Sequence, residues 1–561
     1  MSSKTETILF DGRTIEARHG ESLAACLTAA GIRNFRTTAT GADRGMFCGM
    51  GVCQDCLVEV DGRPNERACM TKVTGPMTVR SEAHGRPLPA APAYRPPVTI
   101  DDIGVETPDV LVIGAGPGGL SAAIAARRAG AGVVIIDERS QPGGQYFKQP
   151  DVAADGIAAP DAQHREGAEL IATARALGVE FRSGVTVWGA FAPLEFATSS
   201  ASGSVRYKPR TAIVATGAYE RGWPVPGWTL PGVMTTGAAQ TLWRTARRAP
   251  GQRVLIAGNG PLNLQLAAEL IAAGSEVVAV VEAAARPGLG QLATVGSMLA
   301  ASPALVADGL RYHLRRIVAG TSMMYGAVVR RVDKSGSGLT VTTGAADGSG
   351  KASTFEVDAL CLGYGFEPAN ELMRGLGVAH DFDPVRRQLV TRRDASGRTS
   401  VAGLYALGDC TGLGGARAAL SDGTIVGAAA AASLGRPMAD MTSARADLAR
   451  HRRFQTALWQ LYAFDGYHAS LADRETLICR CEEVSFGQIE DALAEDLAMI
   501  GAVKRQTRVG MGRCQGRYCG PVLDTLMAAR RGYVRDDYSG FAPRVPVRPV
   551  RIADLAGGDA P

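Results

Sequence analysis

"DVLVIGAGPGGLSAAIAARRAGAGVVIIDE", residues 109–138, decides the fold. An apolar strand, Asp109–Ile113, runs into Gly114-x-Gly116-x-x-Gly119. A helix comes next, then a second apolar strand that ends in Asp137-Glu138. The glycines permit a tight turn and close approach to a pyrophosphate, which rests on the helix N-terminus. Asp137 stands 23 residues after Gly114, where an acid accepts a ribose hydroxyl. A lone GxGxxG says little. With strand, helix, second strand and acid in order, it reads as a dinucleotide-binding fold.

Three downstream segments favour FAD in this first fold. "PGGQ" (142–145) brings Gln145, and "AIVATGA" (212–218) is a strand ending at Thr216-Gly217. "GLYALGDCTGLGGARAALSDGTIVGAAAA" (403–431) gives a strand, Gly408-Asp409, and a helix beginning near Gly415. An acid there binds a ribitol chain, and a helix N-terminus stabilises negative charge on a flavin ring. Cys410, next to Asp409, is either redox-active or simply small and buried. These three segments resemble the two-dinucleotide flavoproteins related to glutathione and thioredoxin reductase. Disulfide reductases of that fold need a close cysteine pair beside the flavin. None stands after "PGGQYFKQP" or in the inserted segment, which excludes disulfide reduction.

A second fingerprint, "RVLIAGNGPLNLQLAAELIAAGSEVVAVVE" (253–282), carries Gly258, Gly260 and, at the end of its second strand, Glu282. Asn263 replaces the third glycine, which predicts looser helix–strand packing. NAD(P), another adenine nucleotide, or nothing at all are the open occupants of this inserted fold.

The eleven cysteines are grouped. "FCGMGVCQDC" (47–56) supplies Cys48, Cys53 and Cys56, and Cys69 follows after twelve intervening residues. Zinc and a [2Fe–2S] cluster both suit four thiolates at such spacing. Three ligands in one glycine-rich loop, at the plant-ferredoxin x4, x2 start, favour the cluster. The short gap to Cys69 resembles the ferredoxin domains of molybdenum hydroxylases and sarcosine oxidase alpha chains. Cys479-x-Cys481 and Cys514-x4-Cys519 form the second set. Cys-x-Cys is a poor zinc knuckle, and the pattern resembles bacterioferritin-associated ferredoxin, a small helical [2Fe–2S] domain. Arg480, Lys504, Arg505, Arg508, Arg513 and Arg517 either offset thiolate charge or form a solvated or partner-facing surface. Cys26, on an apolar helix, reads as core.

The rest of the chain sets bounds. Its 561 residues exceed one core. A net charge of +5, from 60 basic and 55 acidic residues, is no footprint for nucleic acid. The polar N-terminus reads as no signal peptide, and "TIVGAAAAASLG" as a buried helix rather than a membrane span, so a cytoplasmic protein is expected. Seven histidines form no HExxH or HxxxH pair, and no GxSxG elbow is present.

The domain boundaries expected are a [2Fe–2S] ferredoxin-like domain at 1–83 and a Pro-rich linker at 84–107. FAD-binding parts at 108–220 and 385–440 enclose an inserted NAD(P)-like domain at 221–384. A helical connector at 441–475, a C-terminal [2Fe–2S] domain at 476–545 and a tail at 546–561 complete the chain. The fold class is multidomain α/β: two nested Rossmann-like domains flanked by a β-grasp ferredoxin domain and a small helical [2Fe–2S] domain.

"GAYERGWPVPGWTLPGVMTTGAAQTL" (217–242), with the two terminal cysteine patterns, extends the resemblance over nearly the whole chain. The chain resembles the alpha-type subunits of hydrogen cyanide synthase, opine oxidases, hydroxyproline and proline dehydrogenases, and sarcosine oxidase. This resemblance implies an electron-transfer flavoprotein subunit of an amine or imino-acid dehydrogenase. Gly114, Gly116, Gly119, Asp137 or Glu138, Gly408 and Asp409 would hold FAD. No catalytic residue would lie in this chain, because C–N oxidation would occur on a beta subunit carrying its own FAD. Electrons would pass to a quinone or other carrier, which would place the protein peripherally at the inner membrane. The resemblance is compatible, too, with FMN at a subunit interface and with one more small subunit. The alternative is a self-contained NAD(P)H-dependent flavin/iron–sulfur reductase.

Overall fold

The computed structural model describes residues 4–83, 103–151, 161–495, 497 and 499–552. The Pro-rich stretch at 84–98 and the end of the tail lie outside these residues.

Near the N-terminus, alternating burial along Thr5–Phe10 marks a strand with one face inward. Asp11 and Gly12 both take positive φ, so the chain reverses tightly and pairs Phe10 with Arg13. The sheet runs Arg13–Arg18, Thr5–Phe10, Met77–Ala83, Arg36–Thr37, Asp43–Arg44, with Leu57–Val60 and Arg63–Arg67 attached to it. The central pair, Thr5–Phe10 and Met77–Ala83, is parallel. The helix Leu23–Ala29, capped by Ser22, packs its buried Leu23 and Leu27 against this sheet.

Val110–Ile113 is buried on both faces and lies at the centre of a five-stranded parallel sheet. Its order is Glu180–Ser183, Val133–Asp137, Val110–Ile113, Thr211–Val214, Leu404–Ala406. The helices Pro117–Arg128 and Ala416–Ser433 pack closely against each other. A Cβ at Gly427 would stand 2.1 Å from the Ala122 carbonyl, which explains the Gly/Ala run in the second helix.

A second parallel sheet is formed by Val233–Thr235, Ala359–Gly363, Arg253–Gly258, Glu276–Glu282 and Ser322–Tyr325. Here the expected loosening at Asn263 is corrected. Its carboxamide is buried, accepts from Thr236 Oγ1 at 2.7 Å and donates to the Gly363 carbonyl at 3.1 Å. The amide pins the helix to the end of one strand, at Gly363, and to the start of a neighbouring helix, at Thr236, where a glycine would have made only a close approach.

The two terminal domains, distant in sequence, meet in space. Phe47, Cys48 and Cys53 share one apolar core with Trp228, Cys514 and Tyr518. The N-terminal domain also shares a core with the inserted one, where Leu27 and Phe35 join Leu242 and Leu264. Among the described residues no single helix is long and apolar enough to cross a membrane.

Candidate functional site

A cavity of about 1080 Å³ opens between the two nucleotide-type folds. Gly114, Gly116, Asp137, Glu138, Gln145, Thr216, Gly217, Gly408 and Asp409 line it, as do Gly260 of the second fingerprint and Cys48 of the first cysteine set. Gly119 works behind this wall: a Cβ there would stand 1.9 Å from the Gly114 carbonyl. At Gly116 the nearest atom to a Cβ is Gly144 Cα at 3.9 Å, leaving the open cradle a pyrophosphate needs.

The acids divide their work. Asp137 spends both oxygens on backbone, accepting from Ala115 N at 2.6 Å and Arg139 N at 2.8 Å. Glu138 faces the cavity with Arg548 at 3.8 Å. Asp409 Oδ1 accepts from Gly414 N and Gly415 N, both at 2.8 Å, and so fixes the turn before the helix at Ala416. Burial raises the carboxyl pKa of Asp137 and of Asp409.

The second fingerprint is turned inward. Glu282 is 2% exposed and accepts from Gly260 N at 3.0 Å, Asn259 Nδ2 at 2.9 Å and Ala284 N at 2.9 Å. Asn259 also donates to the Tyr462 carbonyl at the end of the connector helix. Gly258 lies beneath, with Gly363 O 2.1 Å from where its Cβ would stand. The acid expected to hold a ribose closes its own loop.

Sequence reading missed Lys148 and Glu220, which also line the cavity. Lys148 is 3% exposed, and its Nζ donates to Gln240 Oε1 at 3.1 Å and Gly237 O at 3.3 Å. Glu220 accepts from Gly237 N at 3.0 Å, so both side chains hang on one residue. Burial, reinforced by Arg139 and Arg244, pushes the Lys148 ammonium down to about 7. Burial pushes the Glu220 carboxyl up to about 7. The available hint was position: Lys148 stands three residues after Gln145.

Seven of the eight grouped cysteines are buried, and Cys481 is half-buried. Among the described residues no three His, Cys, Asp or Glu side chains converge as around a single ion. The sulfurs stand instead in two contact pairs in the first set and in one connected row in the second. Cys48 touches Cys53, and Cys56 touches Cys69. In the second set, Cys481 lies 3.9 Å from Cys479 and 3.8 Å from Cys514, and Cys479 also meets Cys519. Four thiols gathered in each set suit a two-iron cluster, in which each iron takes two protein sulfurs. Cys410 is inert by comparison: it is fully buried, bonded to the Leu407 carbonyl, and held up to about 11 by burial. Cys26 is also core. Of the six basic residues near the second set, Arg480 and Arg517 are buried, Lys504 is half-buried, and Arg505, Arg508 and Arg513 are exposed.

Comparison with known proteins agrees with this layout. The family model described as pyridine nucleotide-disulphide oxidoreductase matches residues 108–432. A 2Fe-2S iron-sulfur cluster binding domain matches 3–84, and a BFD-like [2Fe-2S] binding domain matches 477–529. The opine oxidase A subunit of Agrobacterium tumefaciens (strain Ach5) is 34% identical over 82% of this chain and 94% of its own. Hydrogen cyanide synthase subunit HcnB of Pseudomonas aeruginosa is 32% identical over 78% and 96%. L-proline dehydrogenase from P. horikoshii has the same fold, with a TM-score of 0.73 at 20% identity over 99% of this chain and 98% of that one.

Proposed function

Because the chain belongs to the pyridine nucleotide-disulphide oxidoreductase family and is a relative of the opine oxidase A subunits, we propose that it is the electron-transfer subunit of an amine- or imino-acid-oxidising complex. When bound, FAD accepts an electron pair and each [2Fe–2S] cluster passes a single electron.

In this reading Gly114, Gly116 and Gly119 admit the FAD pyrophosphate, Glu138 takes the ribose, and Gly408 and Asp409 face the ribitol side. Cys48, Cys53, Cys56 and Cys69 hold one cluster, and Cys479, Cys481, Cys514 and Cys519 the other. C–N oxidation takes place in a partner subunit with its own FAD, and a quinone or similar carrier accepts the electrons. An FMN belongs at the subunit interface. The inserted fold serves as scaffold, since Glu282 already occupies Gly260 N.

The observation that carries this reading is the cavity that brings the flavin-type glycine loops and Cys48 into one space. Anaerobic absorbance tests it. Flavin and cluster bands of the chain with its co-purified partner should bleach on adding a substrate amine, and remain on adding NADH or NADPH. Bleaching of the chain alone by NADH would favour the self-contained reductase and overturn the proposal.

A further inference from the structure

Tyr518 precedes Cys519, yet its ring belongs to the neighbourhood of the other cysteine set. It meets Phe47 edge-on at 5.3 Å, and Phe47 precedes Cys48. The Tyr518 hydroxyl is buried with no hydrogen-bond partner among the described residues, and its side chain shares one core with Cys48 and Cys53. A buried hydroxyl left without an acceptor costs the full desolvation of that group. A thiolate sulfur carrying metal charge would supply the missing acceptor.

Other contacts hold the ring there. The Arg480 guanidinium lies 3.9 Å from the centre of the Phe47 ring, and Trp228 closes the same box with its ring 5.6 Å from Phe47. Cys48 lines the cavity, whereas Cys481 is the one half-buried member of the eight. The two sets therefore stand in series, one at the cavity and the other toward the surface.

We propose that Tyr518 donates a hydrogen bond to the Cys48 sulfur and joins the two cysteine sets into one electron path, which enters at Cys48 and leaves beside Cys481. The inference rests on the reading that both sets hold [2Fe–2S] clusters. Each transfer oxidises the inner site by one electron and reduces the outer site by one, and the phenol proton stays on Tyr518. Tyr518 is a positioning residue, and its effect is read in a potential.

The experiment is a potentiometric titration of the anaerobically prepared full-length chain, monitored by electron paramagnetic resonance. Tyr518→Phe removes one charge-assisted hydrogen bond. It should make reduction of the N-terminal cluster about tenfold less favourable, ~59 mV for one electron, and leave the C-terminal cluster unchanged. Equal potentials in wild type and variant would overturn the inference. Wild type gives a second reading that does not depend on the variant taking up both clusters. When fully reduced, the two signals should broaden or split each other, and a plain sum of independent signals would overturn the path. Loss of either cluster signal in wild type would instead sink the underlying reading of the cysteine sets.

Discussion

Arg480 donates through Nε to Asp55 Oδ2 at 2.6 Å, with both side chains no more than 5% exposed. Each sits between two grouped cysteines, Arg480 after Cys479 and Asp55 before Cys56. The ion pair thus locks one cysteine loop onto the other, with help from Arg44–Glu483 at 2.8 Å.

Removing one member of a buried pair strands the other charge, typically at ~3–5 kcal/mol. Arg36 still reaches Asp55 at 3.3 Å, so Arg480→Met is expected at the low end, about 3 kcal/mol. The check is a double-mutant cycle with Asp55→Asn by thermal unfolding. Additive effects would mean that the two residues are not coupled.

The fingerprint glycines should separate fold from cofactor. A Cβ at Gly119 meets the Gly114 carbonyl, so Gly119→Ala should fold poorly. Gly116 has φ −76° and open space around it, so Gly116→Ala should fold normally and lose its yellow colour. A folded Gly116→Ala protein that retains full flavin would contradict the assignment of this cradle.

Lys148 and Glu220 should give a stability minimum near pH 7. The native ammonium of Lys148 has a lowered pKa of about 7. From there up to the unfolded value near ~10.4 the unfolded chain holds the extra proton, and stability rises by up to ~1.4 kcal/mol per pH unit. Glu220 has a raised pKa of about 7. Its contribution is full at low pH and is lost as pH climbs from ~4.3 to about 7. Measured as the unfolding midpoint against pH, Lys148→Met should lose the alkaline rise and keep the acidic fall. An unchanged alkaline limb would contradict this placement of the amine.

Much of this was legible in the sequence because it is local. The strand Val110–Ile113, the glycine fingerprint that follows it and the cysteine spacings each depend on neighbours within a few residues. What escaped depends on contacts across hundreds of positions. That Asp55 faces Arg480, or that Tyr518 meets Phe47, results from docking of the terminal domains, which no periodicity encodes. Asn263 was misjudged for a related reason. A carboxamide looks too large for a close-packing site until Thr236 and Gly363 are found waiting for its two ends.

Loss of single cysteines should show which thiols hold iron. Cys53→Ser should halve the iron content and leave the second set intact. Cys410→Ser, whose hydroxyl can donate to the Leu407 carbonyl as the thiol does, should leave iron unchanged. Zinc in place of iron, or equal iron in both variants, would contradict the assignment.

The most direct measurement is low-temperature electron paramagnetic resonance of the anaerobically purified full-length chain after dithionite reduction. Two distinct reduced [2Fe–2S] signals are predicted, with iron and acid-labile sulfide in equal amounts. A preparation that shows only flavin absorbance and gives no paramagnetic signal on reduction would contradict the account.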